Sequence, residues 1–253
     1  MPRAPLRRQS NSRSPWSVTS LADIAALVRA RRAGRSPYIL GVTGAVAAGK
    51  STLAAGLAEA IAAWPEAPTG EVAATDGFLF DNRALEARGI LNRKGYPESY
   101  DTAALRAALA AIRRGPADFP GYSHALYDID PALTRRLDPP AVLIVEGLGL
   151  HEGAAALGLD ALIYLDADEA DLERWYAERF VELWRAAEYD PASFYARFRH
   201  MSEAETRDFA GVVWRQINLP NLRENIVRGR DVADLVVRKG ADHGIVDVAE
   251  RGR

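Results

Sequence analysis

The chain of 253 residues contains no cysteine. Disulfide scaffolds, thiolate metal sites and thiol nucleophiles are thereby excluded, and any chemistry falls to Asp, Glu, His, Lys, Arg, Ser and backbone amides. An excess of one charge is missing too: 32 Lys and Arg against 34 Asp and Glu give a formal charge of -2. That balance lacks the basic surplus of a dedicated nucleic-acid binder, so no nucleic-acid partner is expected and an anionic ligand must be held by a local site. Long apolar runs are absent as well. The stretch Ala141 to Val145 ends at Glu146, far short of the ~18 residues needed to span a bilayer, so no membrane association and a cytoplasmic location are expected.

What charge bias exists lies at the start. Met1 to Trp16 carries four arginines and three prolines, and no acid precedes Asp23. No apolar central region marks it as a secretory signal. Residues 1–17 read as a disordered basic tail, with an organellar presequence as the alternative, and residues 18–253 as a single domain.

Apolar periodicity alternates along the rest of the chain. Short buried-strand profiles occur at Tyr38 to Thr43, Val72 to Thr75, Ala141 to Val145, Ala161 to Leu165 and Leu235 to Val237. Helical patterns occur at Leu21 to Ala33, Ser51 to Trp64, Thr102 to Arg114, Glu169 to Trp184 and Glu203 to Leu219. Such alternation predicts an α/β fold of three layers, a mainly parallel sheet flanked by helices.

Between the first strand and the helix after it lies Gly44-Ala45-Val46-Ala47-Ala48-Gly49-Lys50-Ser51. This matches G-x-x-x-x-G-K-[ST] in the strand-turn-helix context that the motif requires. The turn points successive N–H groups inward at the positive end of the following helix, a cradle for phosphates extending to Thr52. Lys50 is placed to reach the β- and γ-phosphates of a nucleoside triphosphate, and Ser51 to offer its hydroxyl to Mg²⁺. A Gly-rich turn serving only as a connection would leave the Lys50 charge unpaired at a positive helix end. The domain thus reads as a P-loop NTPase fold binding ATP with Mg²⁺, and the guanine-reading N/T-K-x-D of GTPase switches is absent.

Two acids close predicted strands. Glu146 suits a Mg²⁺ ligand, its alternative being a strand-end acid facing solvent. Asp76, ending the second strand, opens onto the same crevice as the P-loop if the sheet is parallel, where a kinase needs a carboxylate to take a hydroxyl proton. Its alternative is a turn-forming Asp-Gly.

The stretch from Leu85 to Asp101, with Tyr122-Ser123-His124 to Asp128, Glu146-Gly147-Leu148, Trp175-Tyr176 to Phe180 and Ile217-Asn218 to Ile226, resembles the signature segments of bacterial type I pantothenate kinases. With the P-loop, these blocks follow the family's order from about Pro37 to His243. The resemblance implies ATP-dependent phosphorylation of pantothenate, the first step toward coenzyme A, by a homodimer. Carried over position by position, it implies Asp76 as general base, with Lys50 and Arg179 stabilising the phosphoryl group, and Ser51 and Glu146 holding Mg²⁺. Tyr122, His124, Tyr127, Tyr176 and Asn218 would contact pantothenate, and Lys239 and His243 would lie near the adenine. Without the resemblance, core packing is the favoured reading for Trp175, Tyr176 and Phe180, and a structural or surface histidine that for His124. Arg93 and Lys94 read as a solvated pair on a loop near the substrate and carry no assigned role.

Departures from the family pattern are informative. The first strand begins only at Tyr38, where the family usually carries a longer helical region ahead of it. Ala55 stands where an arginine usually meets the phosphates of coenzyme A, which predicts weak feedback inhibition. Gly149 and Leu183 replace an asparagine and a phenylalanine. Two other readings stay open: a related P-loop kinase acting on a nucleoside or sugar hydroxyl, and a nucleotide-binding regulatory protein with reduced turnover.

Overall fold

A computed structural model describes residues 20–66, 68–150 and 152–251. The expected tail, 1–17, lies outside the described residues.

Ser20 starts the first helix with a capping box, its hydroxyl accepting from the Asp23 N–H while the Asp23 carboxylate accepts from the Ser20 N–H, a reciprocal pairing that satisfies two otherwise orphaned donors. This helix, α1 (Leu21–Arg32), packs on α2 (Lys50–Ala62), which lies against the strands β1 (Tyr38–Gly44), β2 (Gly70–Ala74) and β5 (Val142–Glu146). The apolar run of β1 is buried at every position, as is that of β5 up to Val145, because helices cover both faces of a parallel sheet. The remaining sheet strands are β6 (Ala161–Asp166), β7 (Leu235–Lys239) and β8 (Ile245–Glu250). Their order is β2-β5-β1-β6-β7-β8, with every pair parallel except β7 and β8. The expected α/β architecture is therefore observed, and β8, a largely exposed antiparallel edge strand, is an addition.

Outside the sheet, α3 (Asn82–Ala87), α4 (Thr102–Ile112) and the short α5 (Ala154–Leu157) follow β2 and β5 in sequence. The long α6 (Glu169–Ala186) packs against α7 (Glu203–Val213). Two expectations are corrected. Thr75 leaves the second strand for a 3-10 turn, Thr75–Phe78. The helix expected to Leu219 ends as an α-helix at Val213 and widens into π turns at Trp214–Asn218 and Leu222–Ile226, on either side of Pro220. Proline has no N–H and its ring crowds the preceding turn, so the regular ladder widens on either side of it, while Leu219–Asn221 itself keeps α geometry.

An antiparallel hairpin was not foreseen. It pairs β3 (Ala117–Ser123) with β4 (Asp128–Leu137). Pro120 sits within β3, and the register shifts between Phe119 and Gly121, so the alternation that betrays a strand is broken there. No helix among the described residues is long and apolar enough to cross a membrane.

Candidate active site

Adjacent strands place the candidate groups. In the pairing register Glu146, at the carboxyl end of β5, faces Val42 of β1 on one side and Ala74 of β2 on the other. The P-loop leaves β1 two residues beyond Val42, and the turn carrying Asp76 leaves β2. Three strand ends thus bring the P-loop turn, Glu146 and Asp76 to one crevice, the position where open parallel sheets bind ligands.

The loop follows the backbone geometry its glycines permit. Gly44 has φ 144, and a Cβ there would lie 2.5 Å from the Leu165 carbonyl oxygen. Lys50 folds back so that its Nζ donates to the Ala45 carbonyl at 2.8 Å. Burial pushes its ammonium below the ordinary value, opposed by Glu146 and Asp76. The Ser51 hydroxyl donates to Glu146 Oε1 at 2.9 Å, and burial raises the Glu146 carboxyl, opposed mainly by Lys50. Hydroxyl and carboxylate are hard oxygen donors of the kind Mg²⁺ takes alongside substrate phosphates rather than from an all-protein cage. No group of three or more His, Cys, Asp or Glu side chains suited to a metal occurs among the described residues.

Opposite these groups stands an aromatic wall. Tyr122 is the penultimate residue of β3, and His124 and Tyr127 occupy the hairpin turn, where Tyr127 adopts φ 56. The Tyr122 ring lies 5.2 Å from His124 and 6.4 Å from Tyr127, edge-on to both. From α6, Tyr176 and Arg179 approach on one helix face, and the Arg179 guanidinium reaches His124 Nε2 at 3.4 Å. Burial pushes the His124 imidazole below its ordinary value, against the opposing pull of Asp76. Burial also raises the Tyr122 and Tyr176 hydroxyls and takes Tyr127 to about 12, which keeps all three as donors. Asn218 enters from the first π turn.

All of these groups line one cavity of about 600 Å³: Lys50, Ser51, Asp76, Glu146 and Arg179, with Tyr122, His124, Tyr127, Tyr176 and Asn218. Lys239 and His243 do not line it. Lys239, ending β7, donates from Nζ to the Ala48 carbonyl at 3.1 Å, on the flank of the P-loop. His243 stacks on Trp175 at 4.0 Å and 23°, a flat platform beside that flank. Thr52 is exposed on the first turn of α2.

Lys94 requires a correction. It is not solvated: its side chain is 3% exposed, and its Nζ donates to Asn82 Oδ1 and to the Tyr127 carbonyl, each at 2.6 Å. The ammonium lies 4.5 Å from the centre of the Tyr127 ring and 4.9 Å from that of Tyr122, and it lines the cavity. Arg93 keeps its exposed place, paired with Glu98. The tandem was legible only as charge, because partners 12 and 33 residues away decide which member is buried. Tyr195 was missed as well. It stands in the 3-10 turn Phe194–Phe198, packs edge-on against Phe180 at 5.2 Å and lines the cavity.

No protein-family model matches the chain. Curated relatives do. A pantothenate kinase of Parvibaculum lavamentivorans is 44% identical over 234 residues, 87% of this chain and 72% of its own length. One of Sorangium cellulosum is 45% identical over 224 residues, 85% of this chain and 73% of its own. Among solved structures, a candidate fructose transport system kinase of Silicibacter sp. TM1040 superposes with a TM-score of 0.66 at 25% identity, covering 85% of this chain and 95% of that one. The YFH7 protein of Saccharomyces cerevisiae, described as a candidate P-loop containing kinase with a circular permutation, gives 0.58 at 15% identity, over 87% and 98% of the two chains, and speaks for the fold alone. With identities of 44 and 45% across most of its length, the chain belongs to the pantothenate kinase family.

Proposed function

We propose that this chain transfers the γ-phosphoryl group of ATP to the terminal hydroxyl of pantothenate. The observation that carries the reading is a single cavity in which the P-loop residues Lys50 and Ser51, the strand-end acids Asp76 and Glu146, and a wall of tyrosines meet, in a chain of this family. Curated relatives named pantothenate kinase support the choice of acceptor.

Each residue then has a physical task. Asp76 takes the proton of the acceptor hydroxyl as it attacks phosphorus. Lys50 and Arg179 set positive charge where the transferring group develops negative charge. Ser51 and Glu146 would hold Mg²⁺, which supplies charge neutralisation on the phosphate oxygens when bound. Tyr122, His124, Tyr127, Tyr176 and Asn218 surround the acceptor with hydroxyl, imidazole and amide groups suited to its hydroxyls and amide, and Lys94 adds a cation for its carboxylate. Lys239 and His243, beside the P-loop, are the candidate contacts for the nucleotide base.

A coupled ADP-release assay with pantothenate set against nucleosides and sugars, fructose included, tests the reading. Turnover with pantothenate and background rates with the others are expected. Phosphorylation of a nucleoside or sugar with pantothenate inert would replace it with the sibling P-loop kinase reading, and ATP binding without any turnover would leave a regulatory protein.

A further inference from the structure

Tyr100 carries none of the roles assigned above, yet it lines the same cavity at 7% exposure and its hydroxyl donates to Asp76 Oδ1 at 3.3 Å. Backbone bonds hold it there. The Phe80 N–H donates to the Ser99 carbonyl at 2.9 Å, the Asp101 N–H donates to the Phe78 carbonyl at 2.8 Å, and Leu79 bridges Tyr100 in antiparallel sense. Asp101 in turn caps α4, accepting from the Ala104 N–H at 2.8 Å. The segment carrying Tyr100 is thus stitched to the turn carrying Asp76, and the hydroxyl reaches the carboxylate with no ligand needed to bring it. Burial raises the phenol far above its ordinary range, so it stays a donor.

An aspartate's terminal torsion is broad and nearly free, so a carboxylate that must point one oxygen at a reacting hydroxyl needs something to hold the other. We propose that Tyr100 is a positioning residue: it pins Asp76 Oδ1 and leaves Oδ2 to receive the proton of the acceptor hydroxyl. The inference rests on Asp76 being the base. In the step it serves, the acceptor O–H bond breaks, its proton passes to Asp76 Oδ2, the acceptor oxygen bonds to the γ-phosphorus, and the bond from that phosphorus to the bridging oxygen breaks with its electron pair leaving on ADP. Tyr100 keeps its own proton throughout.

Tyr100→Phe removes the hydroxyl alone. The expected result in single-turnover experiments with enzyme in excess of ATP and pantothenate saturating is a loss of roughly ten- to a hundredfold in rate, with pantothenate KM, nucleotide affinity and melting temperature nearly unchanged. Losses shared equally by rate, KM and melting temperature would make Tyr100 merely structural and overturn the inference, as would an unchanged rate. A double-mutant cycle supplies the second measurement: with Asp76→Asn already present, Tyr100→Phe should cost nothing further, and an additive loss would refute the coupling. Asp76→Asn alone should lower the rate by about 10²- to 10⁴-fold with ATP binding retained. Full activity in that single variant would refute the base itself, which separates failure of the underlying reading from failure of this one.

Discussion

The Ser51 hydroxyl and Glu146 Oε1 meet at 2.9 Å, joining the first turn of α2 to the end of β5. In sequence they stand 95 residues apart. They are held in contact by the parallel pairing of β1 with β5, which sets the strand ends of the P-loop and of Glu146 side by side.

Glu146→Gln keeps the shape of the side chain and removes its charge. We expect the Mg²⁺ concentration for half-maximal rate to rise by about 10- to 100-fold, with the fold intact. A Mg²⁺ titration of initial rates checks this, and a superimposable curve would show that Glu146 does not serve the metal.

Lys94 imposes a pH dependence whose sign follows from its burial. Burial lowers its ammonium from 10.5 to about 8, opposed by Asp128 and Asp76. The cation therefore persists below about pH 8 and is lost above it, and since the acceptor's carboxylate is drawn to that cation, KM for pantothenate should rise as pH climbs through about 8. In Lys94→Met the rise should vanish and KM should be high at every pH. Stability moves in the opposite sense. Between about pH 8 and 10.5 the unfolded chain holds a proton that the native chain has released, so the penalty of burying Lys94 is full below that window and fades as pH increases through it. Urea unfolding of wild type and Lys94→Met at pH 7 and pH 10 measures the difference.

Gly147 is where two site-bearing segments touch. Its φ is 152, and a Cβ there would lie 1.7 Å from the Thr75 Oγ1. Gly147→Ala should push the turn of Asp76 away from the end of β5, costing about 1–3 kcal/mol of stability and most of the activity, read from thermal melts alongside turnover. A melt and rate equal to wild type would show that the contact yields freely.

Much of the site could be read along the chain because its chemistry is local. The P-loop is one contiguous turn between a strand and a helix, and its amide cradle needs only its own glycines and the helix behind it. Glu146 was legible because it closes an apolar strand run and Asp76 because it follows one, and a parallel sheet must bring such ends to one edge. The acceptor wall was legible only through family resemblance, since Tyr122, His124 and Tyr127 belong to a hairpin with Pro120 in one strand and mostly exposed residues in the other. Tyr195 and Lys94 escaped because neither a lone tyrosine in an irregular segment nor a basic pair on a loop carries a pattern of its own.

By itself, then, the sequence determined the class of fold, the P-loop turn, and the acids Glu146 at the end of one strand and Asp76 just beyond another, all consequences of short-range periodicity and backbone geometry. Only the tertiary structure decided which polar groups share a cavity. The burial of Lys94 depends on Asn82 and on the Tyr127 carbonyl, and the hold on Asp76 depends on Tyr100, 24 residues away. Desolvation and hydrogen bonding act through space, so these relationships came into being only when the loops had packed around the sheet.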